Sequence, residues 1–134
     1  MLTCPMANAI LDSVQRICTQ RREMVWILKE RATPEQVAEM LQVFGTYIKL
    51  AVDVEREVVA GGGELHHDCE QALLDDGSRQ ADVWGADWDP VGEVRFESLI
   101  NIRPRQGNPD LELQSPELRE RVGHIVRRVF VGVG

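Results

Sequence analysis

The chain has few cysteines, and the three present, Cys4, Cys18 and Cys69, are an odd number with no paired spacing. That pattern excludes a disulfide framework and a CxxC metal knuckle, and it fits reduced thiols in a cytoplasm. No apolar stretch approaches the roughly eighteen residues that a membrane span requires, and the N-terminus lacks the apolar block of a secretory signal. A soluble, cytoplasmic protein without a membrane partner is expected. Positive charge is in short supply: 15 Lys and Arg face 22 Asp and Glu, a net charge of −7. That balance repels nucleic acid and anionic lipid at long range, so nucleic acid is a disfavoured partner. Internal repeats, low-complexity tracts and interdomain linkers are also missing.

What is there suits one domain. A chain of 134 residues, 43% of them hydrophobic, can bury a real core. The charge is uneven. Residues 61–100 hold ten acids against Arg79 and Arg95, whereas the stretches around Arg21 and from Arg103 to Arg128 are locally basic.

Two helices announce themselves by their ends. In "TPEQVAEMLQVFG" Thr33 caps, Pro34 takes the first helical position and Gln36 closes a capping box. Val37, Met40, Leu41 and Phe44 recur at helical spacing, and Gly45 supplies the stop. In "SPELRERVGHIVRRVF" Ser115 caps, Pro116 starts, and Leu118, Val122, Ile125, Val126 and Val129 form one stripe opposite an arginine-rich face. Residues 7–20 carry Ile10, Leu11, Val14, Ile17 and Cys18 at the same period, so residues 1–23 read as an N-terminal helical extension ahead of a single domain at 24–134. Met24 is an alternative start.

Between these helices the period falls to two. "YIKLAVDV" alternates Ile48, Leu50, Val52 and Val54 with Tyr47, Lys49, Ala51 and Asp53, which is a strand with one apolar face returning through a turn into "EVVA". "EVRFESLINIR" alternates Val94, Phe96, Ser98, Ile100 and Ile102, and Asp89, Pro90 and Gly92 turn it back to "DVWGADW" as a second hairpin. "MVWILKE" reads as a short strand. The order of elements predicts an α+β fold: a mixed, largely antiparallel sheet of about five strands with helices mainly on one face, containing the βαββαβ order of an extended ferredoxin-like arrangement.

The segment "GGGELHHDCE", residues 61–70, carries the first candidate site. A strand running through glycines into a helix N-terminus suits a phosphate. Neither a GxGxxG nor a Walker-type loop is present, however, and Glu64 and Asp68 already put negative charge at that end. The glycines then serve a sharp turn and close packing. At about 100° per residue Leu65, Cys69, Ala72 and Leu73 form the buried stripe, while His66 and Glu70 stand one turn apart along its edge. Those two are the candidate ligands for a divalent metal, with Asp53, Asp87 and His124 available to complete the set. Asp68 lies about 160° around from Glu70 and cannot join them. His66 as general base, oriented by Glu70 or Asp68, is the catalytic version of that reading, although no nucleophile signature stands beside it. Cys69 reads as a small core residue, since its acidic surroundings lack what makes a thiol reactive.

The second candidate is "INIRPRQGN". Pro104 ends the strand, and Arg103 and Arg105, two apart in extended chain, present two guanidinium forks beside a turn at Gln106, Gly107 and Asn108. They suit a small anionic ligand; alternatively they neutralise the acidic middle of their own chain. In "DDGSRQADVWGADW" Gly77 is a helix C-cap and Ser78 begins a loop. Trp84 and Trp88 share one strand face there, either as core or as a stacking platform.

Taken in order, "GGGELHHDCE", "DDGSRQADVWGADW" and "SLINIRPRQGN" resemble a bacterial and archaeal family with a domain of unknown function, with motifs GGELHxDxE, GSxQxxxWG and INIRPxQGN. The resemblance covers about residues 24–130. It implies no activity, and marks His66, Asp68, Glu70, Ser78, Gln80, Trp84, Gly85, Asn101, Arg103, Gln106, Gly107 and Asn108 as motif positions. His67 departs from the small residue expected there, and Cys69 sits where another acid can occur.

Three functions are compatible with these residues. The first is a ligand- or anion-binding module with a polar pocket formed by His66, Asp68, Glu70, Ser78, Trp84, Arg103, Arg105 and Asn108. The second is a metal-dependent hydrolase using His66 and Glu70. The third is a structural or protein-interaction domain. A homodimer is compatible with all three.

Overall fold

The computed structural model describes residues 25–132, so the helical extension expected over residues 1–23 lies outside the described residues. The fold is α+β. Strands β1 (Trp26–Leu28), β2 (Ile48–Asp53), β3 (Val58–Gly61), β4 (Val83–Trp88) and β5 (Val94–Arg95) are interleaved with helices α1 (Pro34–Leu41), α2 (His66–Asp75) and α3 (Pro116–Val129). They form one five-stranded sheet in the order β1-β3-β2-β4-β5. Every pairing is antiparallel, where the sequence allowed a mixed sheet. The ferredoxin-like variant of that expectation finds no confirmation in this strand order.

The caps act as their residue types require. Thr33 Oγ1 accepts the Gln36 N–H at 3.1 Å while Gln36 Oε1 accepts the Thr33 N–H at 2.9 Å, which closes the capping box and fixes where α1 begins. Ser115 Oγ accepts from Leu118 N at 3.2 Å at the head of α3. The β2–β3 turn is built by Asp53, whose Oδ1 accepts the N–H groups of Glu55 and Arg56, both at 2.9 Å.

Both faces of the sheet are covered. On one, α1 and α3 bury Met40, Ile48, Leu50, Val52, Trp84, Trp88, Val122 and Val126 in the main core. On the other, α2 packs Cys69, Ala72 and Leu73 against Ala51, Val58, Ala60 and Val83. The alternation in β2 therefore does not mark an exposed face, because Ala51 and Asp53 are also fully buried. Small side chains make this possible. Ala51 lies directly across from Ala60 on one neighbour and Gly85 on the other, giving α2 a shallow row to sit on.

The glycines before α2 are structural. Gly62 has φ +95°, a left-handed conformation, and a Cβ on Gly63 would press at 3.2 Å on Cys69 Sγ, Asp68 Cβ and Val25. Leu65, expected on the buried stripe of α2, is instead the N-cap and 43% exposed. Its helical face begins one residue later than the spacing suggests.

The second hairpin is much shorter than expected. Only Val94 and Arg95 pair with β4, and Leu99–Asn101 form a 3₁₀ turn rather than the end of a strand. Ser98 Oγ accepts the Ile100 N–H at 3.2 Å and starts that turn, which breaks the two-residue alternation.

Candidate functional site

Because β5 is so short, the outer edge of β4 from Val83 to Ala86 has no strand beside it. Side chains from residues 98–108 take that place. The Asn101 carboxamide accepts from Gly85 N at 2.8 Å and donates to Gly85 O at 3.1 Å, imitating a neighbouring peptide group. The same Nδ2 reaches Phe96 O and Leu111 O at 3.3 and 3.2 Å, and Asn101 is fully buried. Arg103 continues the edge by donating from Nη2 to Val83 O, from Nη1 to Gln80 O at 2.7 Å and from Nε to Ile100 O at 2.9 Å. Gln106 Nε2 donates to Ala81 O at 3.1 Å.

Asn108 locks the loop itself. Its Nδ2 donates to the carbonyls of Asn101, Asp110 and Glu112 at 2.8, 2.9 and 3.1 Å, and its Oδ1 accepts from Gln114 N at 2.8 Å. Its backbone pairs in both directions with Arg103. The hydrogen-bonding groups of the Asn108 carboxamide are all directed at the chain.

Arg103 is the centre of the site. Its guanidinium lies 4.3 Å from the centroid of the Trp84 ring, and its side chain is only 10% exposed. Burial pulls its pKa down, and the neighbouring Glu70 opposes that shift. Glu70, on the second turn of α2, stands with Oε2 3.5 Å from Arg103 Nη2 and Oε1 3.6 Å from His67 Nδ1. Trp84 is the stacked floor beneath the arginine and part of the core, and Trp88 packs its ring on Phe130 at 4.5 Å. Neither indole is an open platform.

An open cleft of about 490 Å³ lies over this arrangement. Glu70, Gln80, Arg103 and Arg105 supply its polar wall, and Leu99 and Ile102 its apolar one. Arg105 is exposed, whereas Arg103 spends its donors on the chain, so the two forks do not act as an equivalent pair.

The remaining candidates sit elsewhere. His66 Nε2 is 2.8 Å from Asp87 Oδ1 and 3.2 Å from Ala86 O, and His66 does not line the cleft. Asp87 in turn stands 4.0 Å from Arg95, its cross-strand partner. His66 and Glu70, one helical turn apart, thus face different partners. Among the described residues no group of three or more His, Cys, Asp or Glu is placed to hold a metal ion. Asp68 lies in the first turn of α2, half-buried. Ser78 Oγ accepts from Arg56 Nη1 at 2.6 Å, and its N–H satisfies Leu73 O at 2.9 Å, so it finishes α2. Cys69 is fully buried, and burial pushes its thiol up to about 12.

Sequence reasoning named Asp87 among the residues available beside His66 and set Arg103 against the acidic middle segment. The specific pairs, His66 with Asp87 and Glu70 with Arg103, join positions more than twenty apart and could not be read from the sequence. Sequence reasoning also read Leu99 and Ile102 as strand residues. The available signal was Ser98 two residues before Ile100, which starts a turn as readily as it continues a strand. No helix among the described residues is long and apolar enough to cross a membrane.

Comparison with known proteins gives one result that bears on identity. No curated protein and no solved structure matches the chain. The model of a family described as protein of unknown function, DUF5674, matches residues 26–129, which spans the five strands and three helices of the described residues, and the chain belongs to that family.

Proposed function

We propose that this chain is a small cytoplasmic module that binds a small molecule in the cleft between α2 and the 99–106 loop. The observation that carries the reading is Glu70. A carboxylate is rarely buried without full pairing, yet the Glu70 side chain is 5% exposed, lines an open cleft, and its Oε2 accepts no hydrogen bond. The surrounding loop supports the same reading: Asn101, Arg103 and Asn108 hold it rigidly, so a ligand meets a preformed wall. Cytoplasmic placement agrees with Cys69 as a free, buried thiol.

The test is a fragment panel followed by ¹⁵N-resolved NMR on the full chain. Amides of residues 99–106 and Gln80 are expected to shift saturably with at least one compound. Saturable binding that moves only amides remote from this loop, or no binding by any compound, overturns the reading.

A further inference from the structure

The polar groups of the cleft differ in what they still offer a ligand. Arg103 directs Nε at Ile100 O, Nη1 at Gln80 O and Gln106 Oε1, and Nη2 at Val83 O and Glu70, so the fold occupies its donors. Gln106 is committed as well, with Nε2 on Ala81 O. Glu70 is closed off in turn: its Oε2 is buried 3.5 Å from Arg103 Nη2, which cancels its charge and leaves that oxygen out of a ligand's reach. Arg105 is the exception. It is exposed, it lines the cleft, and among the described residues no acid, carbonyl or hydroxyl engages its guanidinium. A guanidinium has five N–H groups, and here they are open.

With Arg103 set against Glu70, the cleft keeps the single positive charge of Arg105. A monoanion neutralises it, whereas the second charge of a dianion would stand unpaired near Glu70. The planar fork matches the two oxygens of one carboxylate. The backbone behind it is fixed, because Arg103 and Asn108 exchange backbone hydrogen bonds at 2.6 and 3.0 Å around the Pro104–Gln106 turn. Beside the fork lie Leu99, 77% exposed, and Ile102, 45% exposed, which line the same cleft and favour an apolar body. Resting on the cleft reading above, we infer that the ligand is a small monocarboxylate with a short aliphatic body. Arg105 donates two parallel hydrogen bonds to the carboxylate, and the body covers Leu99 and Ile102.

Four probes separate the alternatives: isovalerate, acetate, isoamyl alcohol and isoamylamine, titrated into the ¹⁵N-labelled full chain alongside the fragment panel. Isovalerate is expected to shift the 99–106 amides about fivefold more tightly than the alcohol, the ratio that one exposed ion pair sustains. It should also bind more tightly than acetate, which lacks the apolar body, and the amine should bind weakest. Arg105→Gln, made at an exposed side chain, is expected to bring isovalerate down to the level of the alcohol, and Leu99→Ser to weaken both alike. Alcohol, amine or acetate binding at these amides as tightly as isovalerate overturns the inference while leaving the cleft reading intact. A carboxylate preference that survives Arg105→Gln does the same, as does a panel compound that shifts these amides where isovalerate does not. Shifts in none of these amides with any probe or panel compound overturn both.

Discussion

Asn101 and Gly85 are bonded to each other twice, through Oδ1 at 2.8 Å and Nδ2 at 3.1 Å, so that one side chain completes the hydrogen bonding of a strand residue. Asn101→Ala would leave both backbone groups of Gly85 buried without that partner. At about 1–3 kcal/mol for each orphaned group, a loss of about 2–6 kcal/mol in urea unfolding is expected. Asn101→Asp should be no better, because it turns the donor toward three carbonyls into a charged acceptor. A loss below about 0.5 kcal/mol, the level of an ordinary surface change, would show that this edge is not held as described.

Gly85→Ala tests the same place sterically. A Cβ at this position would lie 2.5 Å from Ser98 Cβ and 2.6 Å from its Oγ. The clash forces the 98–101 turn away from β4, and about 1–3 kcal/mol is expected, as for other overpacked sites. Pairing with Ser98→Gly relieves it. Guanidinium unfolding of the two single variants and the double variant measures the coupling.

Arg103→Lys keeps the charge and loses the fork. An ammonium has three N–H groups on a point and cannot reach Ile100, Gln80 and Val83 carbonyls together while facing Glu70. Destabilisation of about 3–4 kcal/mol is expected, the lower part of the range for breaking a buried pair. Trp84 fluorescence should change as well, since the guanidinium leaves its ring face. Melting curves with both near-ultraviolet and far-ultraviolet detection check this.

Cys69 makes stability fall at high pH. Its thiol ionises at about 12 in the fold against an ordinary 9.0, so between these values the unfolded chain releases a proton that the native chain keeps. The stabilisation is complete below pH 9 and declines as pH rises toward 12, at up to about 1.4 kcal/mol per unit. Compared with Cys69→Ala, the wild type should lose about 1.4 kcal/mol of relative stability between pH 8 and pH 10. A constant difference across that range would contradict the burial of the thiol. With Cys4 and Cys18 replaced by serine, the native protein should also react with a thiol reagent only as fast as the surroundings of Cys69 open.

Much of the fold was legible where the information is local. Thr33 with Gln36, and Ser115 with Pro116, carry their helix starts within four residues, and those helices begin where these residues place them. β2 was legible from its period, although its second face was not. Alanine reads as neutral in a pattern, and only the approach of α2 makes Ala51 and Ala60 core. The stretch from Phe96 to Asn108 misled because its apolar alternation imitates a strand, while the contacts that bend it run from Ser98 to Gly85 and from Asn101 to Leu111. The site was legible as residue types and as a polar pocket joining Glu70 to the arginines, but not as specific pairs. Glu70 was singled out, but its burial depends on Arg103, thirty-three positions later.

The carboxamide and guanidinium that finish β4 also bear on how the protein behaves when concentrated. An unpaired strand flank invites another chain to add itself, and one whose amides and carbonyls are already occupied from within gives an incoming strand nothing to zip onto. Fibre growth by strand addition is thereby closed off along Val83–Gly85, and a lesion at Asn101 would reopen that flank to self-association as well as loosen the monomer.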